Sequence, residues 1–453
     1  MTNYKKYFKD KKITIMGLGL LGRSIAYTKF LAKCGAQLTV TDLKSKDMLA
    51  TSIALLSKYR NIKFVIGEHR LIDFKDKDMV IKSAGVPLDS VYIKEAKKNK
   101  IPVEMDASLF AKLAPEVTVI GVTGTRGKTM TTMLIYEILK ANEKKLKHKV
   151  YAGGNIRGGA TLPLLSKVKS GDIVVLELDS WQLQGFGEAN LPAQAGISPQ
   201  ISVFTTFMPD HMNYYNDSMK KYFEDKANIF KYQKKGDTLV VRPDMKKLIP
   251  KTINSKLIVA KAKNVEKYNF IVPGQHQREN LACAVEVAKL FKITEANIKK
   301  AVKDFKGVEG RLQYVKTVAG VKIYNDNNAT TIHATMAGLE AIGNLKKRNI
   351  ILITGGTDKV ASLDLKPFAN SINKYCKDVV FIPGTGTDRL IATKKLKTPY
   401  RVILSLKEGA ELASGLAKKR DLILFSPAFA SFGMFTNEYD RNDQFMKIIK
   451  KLK

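Results

Sequence analysis

Val117-Thr-Val-Ile-Gly-Val122, followed directly by Thr123-Gly-Thr-Arg-Gly-Lys-Thr129, is the stretch of sequence that decides the fold of this chain. The first part is an apolar run typical of a buried strand in a parallel sheet, and the segment Met130–Leu139 has the pattern of a helix. A glycine-rich loop between a strand and a helix can wrap phosphate groups with its backbone N–H groups. The stretch therefore predicts an α/β domain that carries a phosphate-binding loop.

The side chains of this loop indicate the same chemistry. Lys128 can reach the terminal phosphates of a nucleotide, and the hydroxyl of Thr129 can coordinate Mg²⁺. The loop departs from the strict G-x-x-x-x-G-K-[ST] motif, because Val122 stands where the first glycine is expected. A chance surface turn beside a solvated lysine is the alternative, and the flanking strand and helix argue against it. The phosphate-binding residues predicted here are Gly124, Thr125, Arg126, Gly127, Lys128 and Thr129.

A second glycine-rich turn, Gly17-Leu-Gly-Leu-Leu-Gly22, lies between a predicted strand, Lys12–Met16, and a predicted helix, Ser24–Cys34. Asp42 ends the next predicted strand, 20 residues after Gly22, as in a dinucleotide-binding βαβ unit. The same geometry serves NAD, a uridine or similar diphosphate, or a purely structural turn. The pattern leaves these three possibilities open.

The length of the chain predicts about three domains. It has 453 residues, of which 45% are hydrophobic and 26% charged, which excludes a disordered or fibrous protein. The strand pattern breaks near Ala107–Pro115 and again at Gly310. We predict three α/β domains: a Rossmann-like N-terminal domain (1–110), a central P-loop ATPase domain (111–308) and a C-terminal Rossmann-like domain (309–453). Further strands are predicted at 79–83, 172–178, 201–207, 321–324, 350–354, 379–382 and 422–425.

The net charge of +35 raises the possibility of a nucleic-acid partner. Only 13 of the 77 basic residues are arginine, however, and the lysines are scattered along the chain without a basic block. The three cysteines form no C-x-x-C pair, and no apolar run reaches the ~18 residues of a membrane span. We therefore expect a cytoplasmic protein with no nucleic-acid or membrane partner. We also expect a monomer, although these features do not determine the oligomeric state.

Glu177 and His211 follow two of the predicted central strands. Burying the carboxylate of Glu177 at the end of an apolar strand is costly, and a metal beside the phosphates would offset that cost. A glutamate exposed at the edge of the sheet is the alternative. His211 lies just past the next strand, where open α/β sheets gather ligands, although a lone loop histidine is often only structural or solvated.

Lys226 occupies an unusual position in the predicted helix Met219–Tyr232. Phe223, Ala227 and Phe230 recur at i, i+4 and i+7, and Lys226 at i+3 falls on the same apolar face. A surface lysine that snorkels along this face explains the position. The alternative is an amine that is chemically altered or belongs to an active site.

Polar segments follow several other predicted elements. Gly274-Gln-His276 and Asn280 open a predicted helix, where they form either a simple cap or a support for a base or phosphate. Three loops at strand ends in the third domain suggest a small polar ligand, although connecting loops without a role look similar. These loops are Asn325–Thr330, Gly355-Gly-Thr-Asp-Lys359 and Ser426-Pro-Ala-Phe-Ala-Ser431.

Taken together, these segments resemble the ATP-dependent Mur ligases, and most closely the members that add D-glutamate. The resemblance runs in order over nearly the whole chain. The segments that carry it are Thr123-Gly-Thr-Arg-Gly-Lys-Thr129, Leu176-Glu-Leu-Asp-Ser-Trp-Gln-Leu183, Pro209-Asp-His-Met212, Lys226-Ala-Asn-Ile-Phe230, Gly310-Arg-Leu312, Asn325-Asp326 and Ser426-Pro-Ala-Phe-Ala-Ser-Phe432.

The resemblance implies a reaction and a set of ligands. ATP would phosphorylate the alanyl carboxylate of UDP-N-acetylmuramoyl-L-alanine, and the amine of D-glutamate would attack the acyl phosphate, in cytoplasmic synthesis of a peptidoglycan precursor. The cofactors implied are ATP, two Mg²⁺ ions and a carbamylated Lys226. The family fold would place UDP, rather than NAD, at the Gly17 turn.

The resemblance also implies roles for single residues. Lys128 would hold the β- and γ-phosphates, Thr129 and Glu177 the first Mg²⁺, and His211 with carbamylated Lys226 the second. Arg311 would contact the γ-phosphate, Asn280 the adenine and Asp326 the ribose. The UDP-linked substrate would be bound by Gly17, Gly19, Leu20, Leu21, Gly22, Asp42, Ser83 and Asn155, and D-glutamate by Thr330, Lys359, Ser431 and Phe432.

Two positions depart from the family pattern. Arg126 stands in the phosphate loop where relatives usually carry Asn, and Asn328 stands where they carry Lys in the N-D-S-K-A-T loop. A Mur-type ligase for a different amino acid is therefore the first alternative. A nicotinamide-dependent oxidoreductase and a basic nucleic-acid-binding ATPase are the others, and the oxidoreductase leaves the second phosphate loop unexplained.

Overall fold

The structure is a computed structural model that describes residues 3–20, 22–187, 196–358, 363–431 and 433–452. The chain divides into two compact units. The first comprises residues Met1–Lys267 and Glu279–Ala301, and the second Tyr268–Arg278 and Val302–Lys453. Among the described residues, no helix is long and apolar enough to cross a membrane.

The first sheet of the first unit is built from the N-terminal hundred residues. Its strands run parallel in the order β3-β2-β1-β4-β5, so that the order reverses between β1 and β4. Open α/β sheets bind ligands at such a reversal, beyond the carboxyl ends of the strands. The elements are α1 (Tyr4–Phe8), β1 (Lys12–Met16), α2 (Arg23–Lys33), β2 (Gln37–Asp42), α3 (Ala50–Ala54), β3 (Ile62–Ile66), β4 (Met79–Lys82), α4 (Val91–Lys98), β5 (Val103–Glu104) and α5 (Asp106–Leu113).

The second sheet of this unit contains six parallel strands in the order β11-β10-β9-β6-β8-β7. The strand that leads into the phosphate loop, β6, is central, and its two neighbours are β8 and β9. The elements are β6 (Thr118–Thr123), α6 (Lys128–Lys140), α7 (Glu143–Leu146), β7 (Val150–Gly154), β8 (Ile173–Glu177), α8 (Ser180–Leu183), β9 (Ile201–Phe204), α9 (Met219–Ala227), β10 (Thr238–Val241), β11 (Lys256–Val259), α10 (Gln275–Leu290) and α11 (Glu295–Asp304).

The second unit contains a six-stranded sheet in the order β12-β13-β17-β14-β15-β16. Only β12, which pairs with β13 in a hairpin, is antiparallel among these strands. The elements are β12 (Gln313–Val318), β13 (Val321–Asn325), α12 (Ile332–Ile342), β14 (Ile350–Gly355), α13 (Lys366–Tyr375), β15 (Cys376–Ile382), α14 (Thr385–Ala392), β16 (Tyr400–Val402), α15 (Leu406–Leu416), β17 (Leu422–Ala428) and α16 (Glu438–Lys451).

These three sheets confirm the predicted fold class of three α/β domains. Each predicted domain range contains one sheet, and the limits at 110 and 308 stay predictions. Two predicted elements are too long. The strand predicted to reach Phe207 ends at Phe204, and the helix predicted to reach Tyr232 ends at Ala227.

Asp106 fastens helix α5 to the segment that follows β7. Its Oδ2 accepts a hydrogen bond from the backbone N–H of Thr161 and its Oδ1 one from Leu162, both at 2.7 Å. The carboxyl group is buried, and burial raises its pKa against these two hydrogen bonds, which act to lower it. Two buried backbone donors therefore depend on this one side chain.

Replacing Asp106 with alanine should destabilise the first unit by about 2 to 4 kcal/mol, because two buried N–H groups would lose their acceptor. Urea unfolding followed by the fluorescence of Trp181, the single tryptophan of the chain, measures this loss. The exposed Asp47→Ala variant is the matched control and should change stability by less than about 0.5 kcal/mol. Equal unfolding midpoints for the two variants would contradict the assignment.

Candidate functional site

The phosphate loop joins β6 to α6 in a conformation that depends on glycine. Gly124 and Gly127 have φ values of 141° and 85°, in the left-handed region. A Cβ on Gly124 would lie 2.1 Å from Thr205 Oγ1, and one on Gly127 would lie 2.4 Å from Asn280 Oδ1. The backbone N–H of Thr125 donates to the carbonyl of Thr206 at 2.8 Å. The loop is thus held in place while the first N–H groups of α6 remain available to an anion.

Two lysine side chains converge on one carbonyl of this loop. Lys128 Nζ donates to Gly124 O at 3.0 Å and to Thr125 O at 3.1 Å. Lys226 Nζ donates to the same Gly124 oxygen at 2.9 Å and lies 4.8 Å from the centroid of the Tyr222 ring. Both amines therefore lie beside the phosphate loop.

Lys226 is 1% exposed, so the snorkelling explanation is wrong. The apolar stripe predicted around it is also wrong in part, because Phe230 lies beyond the end of α9 and the buried face of the helix is formed by Tyr222 and Lys226. Burial lowers the pKa of the Lys226 amine well below its ordinary value, and the nearby Lys128 lowers it further. Both effects shift the equilibrium of this amine towards its neutral form. Three aspartates act on this pKa in the opposite direction, namely Asp179, Asp210 and Asp225.

Glu177 ends β8 and His211 lies in the loop after β9, and these two strands flank β6. Glu177 ends β8 opposite Val122 of β6 and is 2% exposed, so the explanation as an exposed edge residue is wrong. His211 follows β9 in a left-handed conformation, with φ 55°, and its side chain is 43% exposed. Its ring centroid lies 4.7 Å from that of Trp181. Burial lowers the pKa of His211, although Asp210 opposes the shift.

The Gly17–Gly22 turn lies between β1 and α2, at the reversal of the first sheet. The hydroxyl of Ser83 donates to the Gly17 carbonyl, and Ser83 Oγ lies 3.0 Å from Ser24 Oγ. Asp42 Oδ2 accepts from the N–H of Gly19 at 2.9 Å, and its Oδ1 accepts from Lys44 N at the same distance. Asp42 therefore holds the turn through Oδ2 and the segment that follows β2 through Oδ1. Leu20 is 43% exposed on the turn, and Leu21 lies outside the described residues.

The second unit brings the three polar loops together, as expected from their places at strand ends. Ala428 N donates to Ala329 O at 2.8 Å, which joins two of the loops. Thr357 and Ala430 exchange backbone hydrogen bonds of 3.1 and 2.9 Å, which joins the third. Thr330 and Ser431 belong to this cluster of loops, whereas Lys359 and Phe432 lie outside the described residues.

Asp326 and Asn328 connect these loops to the segment that carries Arg311. Asp326 Oδ1 accepts from Leu312 N at 2.9 Å, and its Oδ2 accepts from Ser426 Oγ at 2.8 Å. Burial raises the pKa of Asp326 to about 7. Asn328 N donates to Gly310 O at 2.8 Å. One of the two departures from the family pattern, Asn328, thus belongs to the same network as Asp326.

Arg441 is a buried residue of this network that the sequence reasoning missed. It is 0% exposed, and its Nε and Nη2 donate to Asn327 Oδ1 and O at 2.8 and 3.0 Å, while Nη1 donates to Phe429 O at 3.3 Å. Arg441 therefore clamps two of the polar loops. Its spacing of four residues from Phe445 and eight from Ile449, both buried on α16, is the signal that could have identified it.

Three family models match the chain. They are described as "Mur ligase MurD-like, N-terminal domain" at residues 11–104, "Mur ligase middle domain" at 122–270 and "Mur ligase, glutamate ligase domain" at 310–429. The UDP-N-acetylmuramoylalanine--D-glutamate ligase of Roseiflexus sp. (strain RS-1) is 33% identical and covers 97% of this chain and 98% of its own. The enzyme of the same name from Borreliella afzelii (strain PKo) is also 33% identical, with 98% of each chain covered.

Solved structures agree on the fold. The UDP-N-acetylmuramate-alanine ligase MurC of Thermotoga maritima matches with a TM-score of 0.61 at 18% identity, over 98% of this chain and 100% of that one. MurF of Acinetobacter baumannii matches with a TM-score of 0.57 at 12% identity, over 100% and 93% of the two chains. This chain belongs to the Mur ligase family, whose members use ATP and Mg²⁺.

The residues beside the phosphate loop fit a Mg²⁺ ion that a nucleotide helps to bind. Glu177 at the end of β8 and Thr129 in the first turn of α6 supply hard oxygen donors. Within the described ranges, no cluster of three or more His, Cys, Asp or Glu side chains stands ready for a metal. Mg²⁺ in such enzymes usually takes one or two protein carboxylates and completes its shell with phosphate and water oxygens, which suits this donor set.

Asp326 should make the stability of the second unit depend on pH. A carboxyl group whose pKa rises from 3.8 to about 7 on folding binds protons more tightly in the native state, so stability falls as pH rises between these values. A tenfold difference in proton affinity between the two states corresponds to about 1.4 kcal/mol. Calorimetry at pH 5 and pH 8 should therefore show a smaller loss for Asp326→Asn than for the parent protein. Parallel pH profiles would contradict this explanation.

Proposed function

We propose that this protein is the ATP-dependent ligase that adds D-glutamate to UDP-N-acetylmuramoyl-L-alanine. The observation that carries the proposal is the convergence of Lys128 and the buried Lys226 on the Gly124 carbonyl of a preformed phosphate loop. The names of relatives that are 33% identical over nearly the whole chain support the choice of substrates. The reaction belongs to peptidoglycan precursor synthesis in the cytoplasm, and we propose a monomer that needs no nucleic-acid or membrane partner.

The chemistry consists of two transfers at one carboxylate. The alanyl carboxylate attacks the γ-phosphorus of ATP and releases ADP, which gives an acyl phosphate. The amine of D-glutamate then attacks the acyl carbon, and the tetrahedral intermediate expels phosphate and loses a proton to give the amide. Bound Mg²⁺ supplies charge neutralisation for the phosphoryl oxygens. Lys128 holds the β- and γ-phosphates with its ammonium, while the loop backbone fixes them in line.

We assign the remaining roles by family resemblance. Thr129 and Glu177 hold one Mg²⁺, and His211 with carbamylated Lys226 holds a second. Arg311 contacts the γ-phosphate, Asn280 the adenine and Asp326 the ribose of ATP. Among the described residues, Gly17, Gly19, Leu20, Gly22, Asp42, Ser83 and Asn155 bind the UDP-linked substrate, and Thr330 and Ser431 bind D-glutamate.

The surroundings of Lys226 support the proposed carbamylation. The neutral amine attacks CO₂, and loss of one proton leaves an anionic carbamate. Burial and the proximity of Lys128 favour the neutral amine that this step requires. The carbamate places a hard oxygen ligand beside Gly124 and gives the Lys128 ammonium an anionic neighbour. A buried lysine whose amine donates to a backbone carbonyl thereby acquires a chemical role.

The function is tested by phosphate release from ATP with Mg²⁺, UDP-N-acetylmuramoyl-L-alanine and a panel of amino acids. Only D-glutamate should support turnover. Lys128→Ala should lower the rate by about 10²-fold or more, because the charge of the transferring phosphoryl group would lose its ammonium partner. Turnover with another amino acid would identify the ligase with different specificity. No phosphate release with any amino acid, together with binding of NAD, would favour the oxidoreductase.

Lys226→Ala should be nearly inactive, and formate or acetate at millimolar concentration should restore part of the activity by replacing the carbamate. Lys226→Arg should remain inactive, because a guanidinium does not form this carbamate. The exposed Lys220→Ala on the same helix is the matched control and should retain parental activity. A ¹³C carbamate resonance from ¹³CO₂-treated parent protein, absent in Lys226→Arg, provides an independent measurement. Full activity of Lys226→Arg would exclude the modification.

A further inference from the structure

Arg23 connects the glycine-rich turn of the first sheet to the loop that follows β7. It is the first residue of α2, immediately after Gly22, and its Nη2 donates to Asn155 Oδ1 at 2.9 Å. The two residues are 132 positions apart in sequence. They belong to the same compact unit, so the contact joins two predicted parts of the substrate site.

The contact with Arg23 fixes the orientation of the Asn155 amide. The backbone of Asn155 is already held, because its N–H donates to Glu177 O at 2.7 Å. Since Oδ1 accepts from Arg23, the Nδ2 group faces away with its two donors. Among the described residues, Nδ2 has no acceptor within hydrogen-bond distance. The amide thus presents donors for an oxygen that the protein itself does not supply.

The charge of Arg23 is only partly compensated where it stands. A cation at the N-terminus of an 11-residue helix is opposed by the helix dipole. Its Nε is buried and, within the described part of the chain, has no hydrogen-bond partner. The charge of Arg23 lowers the pKa of the Asp106 carboxyl group. The two oxygens of Asp106 already accept hydrogen bonds from two backbone N–H groups. An anion bound at the neighbouring Gly17–Gly22 turn would offset the unfavourable position of the Arg23 charge at the helix N-terminus.

We propose that Arg23 is a positioning residue for the UDP-linked substrate, which acts through Asn155. It aligns the amide so that Nδ2 donates to a substrate oxygen, and its charge favours the diphosphate at the Gly17–Gly22 turn. This inference rests on the proposed function, because it requires a uridine diphosphate at that turn. It goes beyond the family assignment of Asn155 by naming the residue that orients it.

Steady-state kinetics of Arg23→Met, Asn155→Ala and the double variant test the inference. Arg23→Met should raise KM for the UDP-linked substrate by about tenfold or more and leave KM for ATP within about twofold. The double variant should be little worse than either single variant, because the two residues act as one unit. Arg23→Lys, which keeps the charge but loses the planar fork, should lie between the parent and Arg23→Met. Lys29→Met removes an exposed charge from the same helix and should match the parent.

Titration with UDP alone, followed by calorimetry, separates this inference from the proposed function. The parent should bind UDP, and Arg23→Met should bind it more weakly while keeping the parental melting temperature within a few degrees. A parent that does not bind UDP would overturn the proposed function. A parent that binds UDP, with an Arg23→Met variant that binds it equally or an additive double variant, would overturn only the role of Arg23. If Arg23→Met does not fold, an unchanged KM for the UDP-linked substrate in Arg23→Lys and Asn155→Ala would also overturn the role of Arg23.

Discussion

The carbonyl oxygen of Gly124 is the point on which the central site depends, because it accepts hydrogen bonds from both Lys128 and Lys226. The loop packs closely at this point, because a Cβ on Gly124 would overlap the Thr205 hydroxyl. One oxygen therefore ties together the end of β6, the first residue of α6 and the buried face of α9. A nucleotide bound at this loop meets an arrangement that already exists.

The elements that sequence can predict are those determined by local patterns. The apolar run Lys12–Met16 predicts a strand with the observed limits, and the strands at Val321 and Leu422 begin where expected, because apolar runs between turn residues specify buried strands. The glycine-rich turns can also be predicted, because glycines between an apolar strand and a helix are a local pattern. The antiparallel β12 is missed, since its residues alternate only weakly between exposed and partly buried positions.

Local sequence patterns do not predict contacts between distant segments of the chain. Asp106 accepts from Thr161 and Leu162, about 55 residues away, and nothing in the local pattern of either segment specifies that pairing. The position of Lys226 is recognisably unusual in the sequence, yet the stripe predicted around it passes through Phe230, beyond the end of the helix. Periodicity identifies the face of a helix, whereas the end of the helix depends on the tertiary packing that follows.

The net charge of +35 counts every basic side chain as a full cation, but burial lowers the pKa of three of them. Lys82, Lys226 and Arg441 are almost completely buried, and each donates to backbone or amide oxygens. Burial lowers the pKa of Lys82 to about 8 and that of Arg441 to about 10, so the arginine remains a cation while the lysine is close to losing its proton at neutral pH. Burial also lowers the pKa of Lys226 well below its ordinary value, and the nearby Lys128 acts in the same direction. The same cost of burial thus lowers the pKa of all three cations, to a different extent according to the side chain and its neighbours. The many lysines at the surface remain charged and contribute a long-range attraction for anions.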